Sequence, residues 1–333
     1  MIEKQFKALV VKEMENRVFK REITHRSLND LPAGDLLIRV HYSSLNYKDA
    51  LSASGNKGVT KQYPHTPGID AAGVVEVSSS DRFQPGDKVI VTSYDLGMNT
   101  SGGFGEYIRA PESWVLPLPG KMTLRDSMVF GTAGFTAALS VYRLIQGGVT
   151  PGEGEILVSG ASGGVGSIAV SILRQEGFWV AAVNGRKDET DYLMRLGAKS
   201  VLSMEEAAAS DSRPLLKERW AGCIDTVGGD ILATAIKSTR RNGVVTCCGN
   251  AASHQLPMNV YPFILRGISL IGIDSQQCPM PLRKEIWKTI SEKWNRPEME
   301  QVVSEIPLDR VNEKIDQMLS GRHKGRTLIN LIS

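Results

Sequence analysis

The sequence predicts an α/β protein in which a mostly β domain is followed by a doubly wound parallel sheet. Residues 1–125 contain short alternating apolar runs broken by Pro and Gly clusters, a pattern typical of a small barrel-like β domain. From Ser127 onward, strand-length apolar runs alternate with helix-like periods, which indicates βαβ units. A chain of 333 residues is also longer than one core usually serves, so two domains are expected.

The β domain is predicted from its strand-like runs and from one clear turn. The segment Gln84-Pro85-Gly86-Asp87 consists of turn-forming residues, so a strand should begin directly after it. The predicted strands of this region are Phe6–Val11, Leu36–Tyr42, Ala72–Val77, Lys88–Thr92 and Gly105–Ala110.

An interrupted helix is predicted at the start of the second domain. Helical spacing of apolar residues covers 128–144, with Gly131 and Gly134 inside it, so we expect a break or two helices in close contact. Strands and helices then alternate. The predicted strands are Ile156–Ser159, Trp179–Val183, Ser200–Leu202, Cys223–Val227, Val244–Cys248 and Ser269–Ile273.

The tail after residue 275 is expected to rejoin the first domain. It contains two helix patterns and a final strand at Arg326–Leu331, which is too little chain for a core of its own. The active site is expected in the crevice between the domains. The predicted domains are residues 1–126 completed by 276–333, and residues 127–275.

Residues 155–170, EILVSGASGGVGSIAV, predict a nucleotide-binding turn. An apolar strand, a glycine-rich turn and a helix start form a phosphate cradle, because N–H groups and the helix dipole favour an anion there. The fingerprint G-x-G-x-x-G aligns with Ala161, Gly163 and Gly166, so its first glycine is missing. An ordinary tight turn is the alternative, and the flanking strand and helix favour the nucleotide site.

The end of the next strand indicates which dinucleotide binds. A carboxylate there would hold the ribose hydroxyls of NAD, but this chain has Asn184-Gly185-Arg186-Lys187. A planar guanidinium grips a 2′-phosphate with two hydrogen bonds, whereas a carboxylate would repel it. The sequence therefore predicts NADPH as the cofactor, with a solvated turn at Arg186 and Lys187 as the alternative.

Composition argues against several classes of function. A net charge of +3 without a basic, aromatic-rich stretch argues against nucleic acid as a partner. No apolar run approaches the ~20 residues of a membrane span. The N-terminal segment MIEKQFKALVV carries charges inside the stretch that would have to form the apolar core of a signal peptide. With four cysteines and no C-x-x-C, we expect buried, reduced thiols. A cytoplasmic location and a small-molecule substrate are expected.

Eight motifs spread over nearly the whole chain carry a family resemblance. They are SSLNYKDAL (43–51), PGIDAAGVV (67–75), GGFGEYIRA (102–110), GTAGFTAALSV (131–141), GASGGVGSIAV (160–170), CIDTVGG (223–229), YPFILRGISLIGIDS (261–275) and GRTLINL (325–331). With these motifs the chain resembles the zinc-free medium-chain dehydrogenase/reductase superfamily. Within it, the chain is similar to the bacterial quinone oxidoreductase-like branch that includes acryloyl-CoA reductase.

The resemblance implies a GroES-like catalytic domain, a Rossmann domain, NADPH as the hydride donor and a homodimer. One departure stands in the implied NADPH site. The family member compared has Ser where this chain has Asn184, whose amide can still hydrogen-bond a phosphate. The implied cofactor residues are Tyr47, Ser162, Gly163, Gly164, Val165, Asn184, Gly185, Arg186, Asn250, Ile264 and Ser275.

The resemblance also predicts a reaction without a metal. Zinc alcohol dehydrogenases need Cys, His and carboxylate ligands, and their Gly-His-Glu motif falls where this chain has Gly68-Ile69-Asp70. Their catalytic Cys falls in the Asn46-Tyr47 region, and His65 is interpreted as a loop residue beside prolines. Hydride is then expected to add to an enone, quinone or enoyl thioester, because a few hydrogen-bond donors can hold the resulting enolate.

Tyr47 is the predicted donor for that enolate, and Asn46 is the predicted second donor. The phenol lies in an N-Y-K-D turn and can donate a hydrogen bond or a proton to the product; a packed turn tyrosine is the alternative. Asp49 is interpreted as a helix cap as readily as a catalyst. Arg322 and Arg326 are interpreted as surface charge rather than as contacts to an acidic substrate tail.

These observations predict an NADPH-dependent, zinc-independent reductase of conjugated carbonyl compounds. An acryloyl-CoA-type enoyl thioester and a quinone both stay open as acceptors. The alternative from another class is an NADPH-binding structural or redox-sensing protein without turnover.

Overall fold

The computed structural model describes residues 4–208 and 213–332. In these residues the strands are β1 (Gln5–Glu13), β2 (Phe19–Ser27), β3 (Leu36–Ser44), β4 (Asp70–Ser78), β5 (Lys88–Thr92), β6 (Tyr107–Ala110), β7 (Val115–Pro117), β8 (Glu155–Val158), β9 (Trp179–Val183), β10 (Ser200–Leu202), β11 (Trp220–Asp225), β12 (Thr239–Cys247), β13 (Ser269–Gly272), β14 (Val303–Pro307) and β15 (Arg326–Asn330). The helices are α1 (Tyr47–Ala53), α2 (Leu124–Gln146), α3 (Gly164–Gln175), α4 (Thr190–Leu196), α5 (Met204–Ala207), α6 (Gly229–Ser238), α7 (Tyr261–Arg266), α8 (Met280–Thr289) and α9 (Val311–Leu319).

The described residues form two compact units. The first unit contains residues 4–132, 276–295 and 303–332. The second unit contains residues 133–275, apart from the undescribed stretch, and residues 296–302.

The first unit is built on β-sheets that are mostly antiparallel. Strands β1 and β2 pair with each other, and a seven-stranded sheet has the order β14-β15-β3-β4-β5-β7, with β6 on β3. Alternate residues of β3 (Leu36, Ile38 and Val40) are at most 1% exposed, as expected for a strand that turns one face to a core. Strand β15 pairs with β3, with Leu328 opposite Ser44. The predicted GroES-like, mostly β architecture is confirmed.

The second unit contains the predicted doubly wound sheet. Its six strands have the order β10-β9-β8-β11-β12-β13, and their pairings are parallel. The direction of winding reverses between β8 and β11, and ligands of such sheets bind outside the carboxyl ends of the strands at that point. Ile156, Leu157 and Val158 of β8 are at most 1% exposed, which is typical of a parallel strand covered on both faces.

Helix α2 is an apolar core helix with a break near its start. Its length and composition would suit a membrane span, but 78% of its apolar window is buried in the protein. Gly131 interrupts the helix with φ 51° and ψ −153°, within the segment where the sequence predicts a break. A Cβ at Gly131 would lie 2.4 Å from Asp70 Oδ2, so only glycine allows this approach.

Candidate active site and nucleotide site

Helix α1 presents Tyr47 from its first residue. Asn46 precedes the helix with extended backbone at φ −123°, and its N–H donates to Asp49 Oδ2 at 2.8 Å. This capping contact fixes the start of the helix. The Tyr47 side chain is 53% exposed, so the predicted donor is accessible at a position that its backbone holds firmly.

The side chain of Asn46 is directed into the first unit. Its Nδ2 donates to Asp70 Oδ2 at 2.7 Å and to Ser44 O at 3.1 Å, and its Oδ1 accepts from Arg326 Nη1 at 3.2 Å. Both ends of the amide are therefore engaged by buried neighbours. The geometry favours a positioning role for Asn46 over the predicted role as a second donor to substrate.

The interpretation of Arg326 as a surface charge is wrong. The residue is 1% exposed, and its guanidinium donates to Ser44 Oγ at 2.6 Å and to Val129 O at 3.1 Å. Its Nη2 lies 3.7 Å from Oδ2 of the fully buried Asp70. The burial follows from the pairing of β15 with β3, which the local sequence around Arg326 does not reveal.

Asp70 accepts hydrogen bonds from several segments of the first unit. Its carboxylate accepts from Ser44 Oγ at 2.7 Å, from Thr132 N at 2.9 Å and from Thr132 Oγ1 at 2.6 Å. Because the one hydroxyl hydrogen of Thr132 is used on Asp70, Ser93 Oγ must donate to Thr132 Oγ1 at 2.8 Å. Ser93 and Tyr94 have φ of 65° and 52°, a strained backbone that is found mostly at functional sites. Sequence analysis missed this Ser93–Thr132–Asp70 chain, because its members are far apart in sequence and no residue type signals the strain.

Asp49 is a second buried carboxylate of this cluster. Its Oδ1 accepts from the N–H groups of Gly68 at 3.1 Å and Ile69 at 2.8 Å. Burial and the nearby Asp70 charge raise the pKa of Asp49 to about 7, while the donors from Asn46 and Ile69 oppose that shift. The contacts of its carboxylate come from N–H groups, which supports the helix-cap interpretation of Asp49.

Asn46 and Asp70 stand in the segments that the family resemblance aligns with zinc-binding motifs, and both belong to this network. Asn46 and Asp70 bind Arg326, whose guanidinium supplies the positive charge beside them. His65 Nε2 contacts Gly97 O at 2.9 Å instead. Within residues 4–208 and 213–332, no group of three or more His, Cys, Asp or Glu side chains is placed to hold a metal ion.

The glycine-rich turn between β8 and α3 leaves the start of α3 open. The N-cap, Gly163, supplies no side-chain hydrogen bond to the helix that begins at Gly164, so the site suits an anion. Gly160 has φ 57°, and a Cβ at Gly166 would lie 2.3 Å from Gly160 O. Gly160 therefore adopts the tight left-handed turn for which the fingerprint has a glycine at the position of Ala161.

Ser162, Asn184 and Arg186 come together beyond the carboxyl ends of β8 and β9. Ser162 Oγ donates to Asn184 Oδ1 at 2.9 Å, and Asn184 Nδ2 donates to Arg186 O at 2.7 Å. The Arg186 guanidinium pairs with Glu189, yet the Arg186 side chain keeps 29% of its surface exposed. Sequence analysis missed Glu189, although it lies three residues after Arg186. The side chain of Lys187 lies outside the described residues.

The other predicted cofactor residues lie on several elements of the second unit. Val165 is half-buried in the first turn of α3, and Gly185 is exposed beside Asn184. Asn250 is exposed after β12, Ile264 is 68% exposed on α7, and Ser275 follows β13. Val165 thus follows Ser162 closely in sequence and Gly185 adjoins Asn184, whereas Asn250, Ile264 and Ser275 lie on separate segments.

Two family profiles match the chain. The alcohol dehydrogenase GroES-like domain matches residues 32–120, and the zinc-binding dehydrogenase domain matches residues 164–292.

Relatives match nearly the full length. Acrylyl-CoA reductase AcuI of Ruegeria pomeroyi is 40% identical over 327 residues, which cover 98% of this chain and 99% of that protein. The putative quinone oxidoreductase YhfP of Bacillus subtilis is 43% identical over 306 residues, covering 92% and 93%. The crystal structure of YhfP with NAD bound has a TM-score of 0.95, with 41% identity over 98% of this chain and 100% of that chain. The yhdH oxidoreductase of Salmonella enterica in complex with NADP also has a TM-score of 0.95, with 40% identity over 98% and 100%.

Replacing Arg326 by Leu should lower the free energy of unfolding by about 3 kcal/mol, because it leaves the buried Asp70 without its positive partner. Urea denaturation of the wild type and Arg326→Leu measures the loss. Arg322→Leu is the matched control, since Arg322 is exposed and should change stability by no more than about 0.5 kcal/mol. Equal losses in the two variants would contradict the importance of the buried pair.

Proposed function

Since the chain belongs to the medium-chain dehydrogenase/reductase family, in the branch with quinone oxidoreductases and acrylyl-CoA reductases, we propose that it is an NADPH-dependent reductase of conjugated carbonyl compounds that works without zinc. The proposed acceptor is an enoyl thioester of the acrylyl-CoA type or a quinone. The observation that carries the proposal is an exposed phenol, Tyr47, held at the edge of the buried Asp49–Asn46–Asp70–Arg326 network.

The second unit fits a phosphorylated dinucleotide. Bound NADPH supplies the hydride. The start of α3 at Gly164, with no side-chain cap, suits its pyrophosphate. Ser162 and Asn184 offer polar atoms beside it, and the guanidinium of Arg186 suits a 2′-phosphate. The relative YhfP has been crystallised with NAD. The preference of this chain for NADPH is assigned to Arg186, because a guanidinium can bind a 2′-phosphate that NAD lacks.

In the first unit, Tyr47 is assigned to the acceptor. Its O–H donates to the carbonyl oxygen, which gains negative charge as an enolate forms, and a phenol can also pass a proton to the product. Because the side chain is 53% exposed, solvent can restore that proton. Asn46 and Asp49 fix the backbone of Tyr47 in advance, so little reorganisation is needed during the reaction.

The assembly proposed is a cytoplasmic homodimer. Val260, directly before α7, is 63% exposed, and Tyr261 and Ile264 of α7 are 46% and 68% exposed. Strand β13 is an edge strand of the six-stranded sheet. Exposed apolar helices and open strand edges are surfaces that a second copy can cover. The free cysteines of the described chain suit a reducing compartment. Sedimentation equilibrium should give twice the mass of the chain, and a monomer at micromolar concentration would refute the dimer.

The acceptor class is tested by following NADPH absorbance with acrylyl-CoA, a naphthoquinone and a simple aldehyde. Turnover is expected with the conjugated acceptors and not with the aldehyde, since an isolated carbonyl lacks conjugation that spreads the charge and, without zinc, lacks the electrophilic help of a metal. Tight NADPH binding without oxidation by any acceptor would instead support the structural or sensing alternative. Activity that a chelator removes and zinc restores would overturn the zinc-independent chemistry.

Tyr47→Phe should lower kcat by at least about tenfold, because it removes a hydrogen-bond and proton donor from the reacting oxygen. The affinity for NADPH, measured by fluorescence titration, should change little. Tyr63→Phe is the control, since its hydroxyl donates to Ser52 O within the first unit and should leave kcat unchanged. An unaltered kcat in Tyr47→Phe would reduce Tyr47 to a packing residue.

Arg186→Ala should raise the KM for NADPH by about tenfold or more and leave the KM for NADH nearly constant, because only NADPH carries the 2′-phosphate. Initial rates with both cofactors measure the two constants. Arg195→Ala, at an exposed position of α4, should change neither. Equal increases for NADPH and NADH in Arg186→Ala would remove the assigned role.

A further inference from the structure

A cavity of about 640 Å³ lies in the first unit, and it belongs to the size class of small-molecule sites. Strand β5 extends from the cavity to the Asp70 network. Thr92, at the end of β5, pairs with Asp70, whereas Val89, near the start of β5, pairs with Pro117 of the cavity lining. The two pairs are three residue steps apart along β5, so the cavity lies roughly 10 Å along the sheet from the network.

The lining of this cavity is largely apolar. Phe83 and Trp287 are 3% and 1% exposed, so they form its floor, and the segment 116–119 (LPLP) forms one wall. Helix α8 and the turn that continues it form the other wall. Ser291 Oγ donates to Pro119 O at 3.2 Å, which joins the two walls.

Positive charge predominates around the cavity. Lys284 and Lys288 are exposed one turn apart on α8 and line the same side, where like charges repel each other. Arg82 lines the cavity from another segment, and its guanidinium lies 3.7 Å from the exposed carboxylate of Glu112. Glu292 is the one acidic residue of the lining. With Arg82 beside Glu112, the two ammonium groups of Lys284 and Lys288 against the carboxylate of Glu292 leave an excess of positive charge beside an apolar surface.

We propose that this cavity is a binding site for a small amphipathic anion of the medium-chain carboxylate class. The apolar tail packs against Phe83, Leu116 and Trp287, because burial of apolar surface is favourable. The carboxylate head lies at Lys284 and Lys288, where it relieves the repulsion between the two ammonium groups. The proposal is independent of the reductase function, since none of these residues belongs to the Asp70 network or to the Ser162 cluster.

Isothermal titration calorimetry of the whole protein with decanoate tests the proposal. We expect saturable binding of one decanoate per chain, with decanol and acetate each at least about tenfold weaker because each lacks one half of the recognition. Lys284→Glu/Lys288→Glu should weaken decanoate binding by about tenfold or more. The matched control Lys61→Glu/Lys217→Glu makes the same change in net charge at exposed positions elsewhere and should bind as the wild type does.

A second variant keeps the test decisive if the charge reversal impairs folding. Leu118→Trp fills the apolar part of the cavity while it keeps all three cations, and it should abolish decanoate binding in protein whose circular dichroism is unchanged. Two results would overturn the proposal. One is the absence of saturable decanoate binding at millimolar concentration, and the other is equal binding by the wild type and the folded variants.

Discussion

The first unit depends on the neutralisation of the charges that it buries. Asp49 and Asp70 are fully buried, and Arg326 is 1% exposed. Charged groups withdrawn from water are tolerated only where each is paired and hydrogen-bonded. The hydrogen bonds and charges of this cluster come from five segments: the end of β3, the start of α1, the start of β4, the break in α2 and the start of β15. Each of these segments is therefore held in place by the same cluster.

The same constraint explains why a tyrosine can stand exposed and yet be well positioned. Tyr47 follows Asn46, whose backbone and side chain are tied to Asp49, Asp70 and Arg326. In the proposed reaction, the phenol then acts from a rigid base, and preorganised donors stabilise developing charge more effectively than mobile ones. The guanidinium of Arg326 supplies the positive charge of this network.

The parts of this protein that local patterns determine could be predicted, and the parts that depend on distant pairing could not. The doubly wound sheet follows from short periodic segments, and the glycine-rich turn from its own residues. Arg326 was misinterpreted, because its surroundings are created when β15 pairs with β3. The strained backbone at Ser93 carries no signal in residue type. The missing fingerprint glycine was found at Gly160 only once the backbone conformation was known.

Because β15 lies inside the sheet of the first unit, the amino-terminal unit cannot finish folding before the unit that is translated after it. Every strand of the parallel sheet has been synthesised by residue 272, whereas the first unit needs residues 326–330 between β14 and β3. On the ribosome, the Asp70 carboxylate remains without the Arg326 guanidinium until that late strand emerges. The amino-terminal region of the nascent polypeptide therefore finishes folding after the region that is translated next, and its open strand edges need protection from aggregation in the interval.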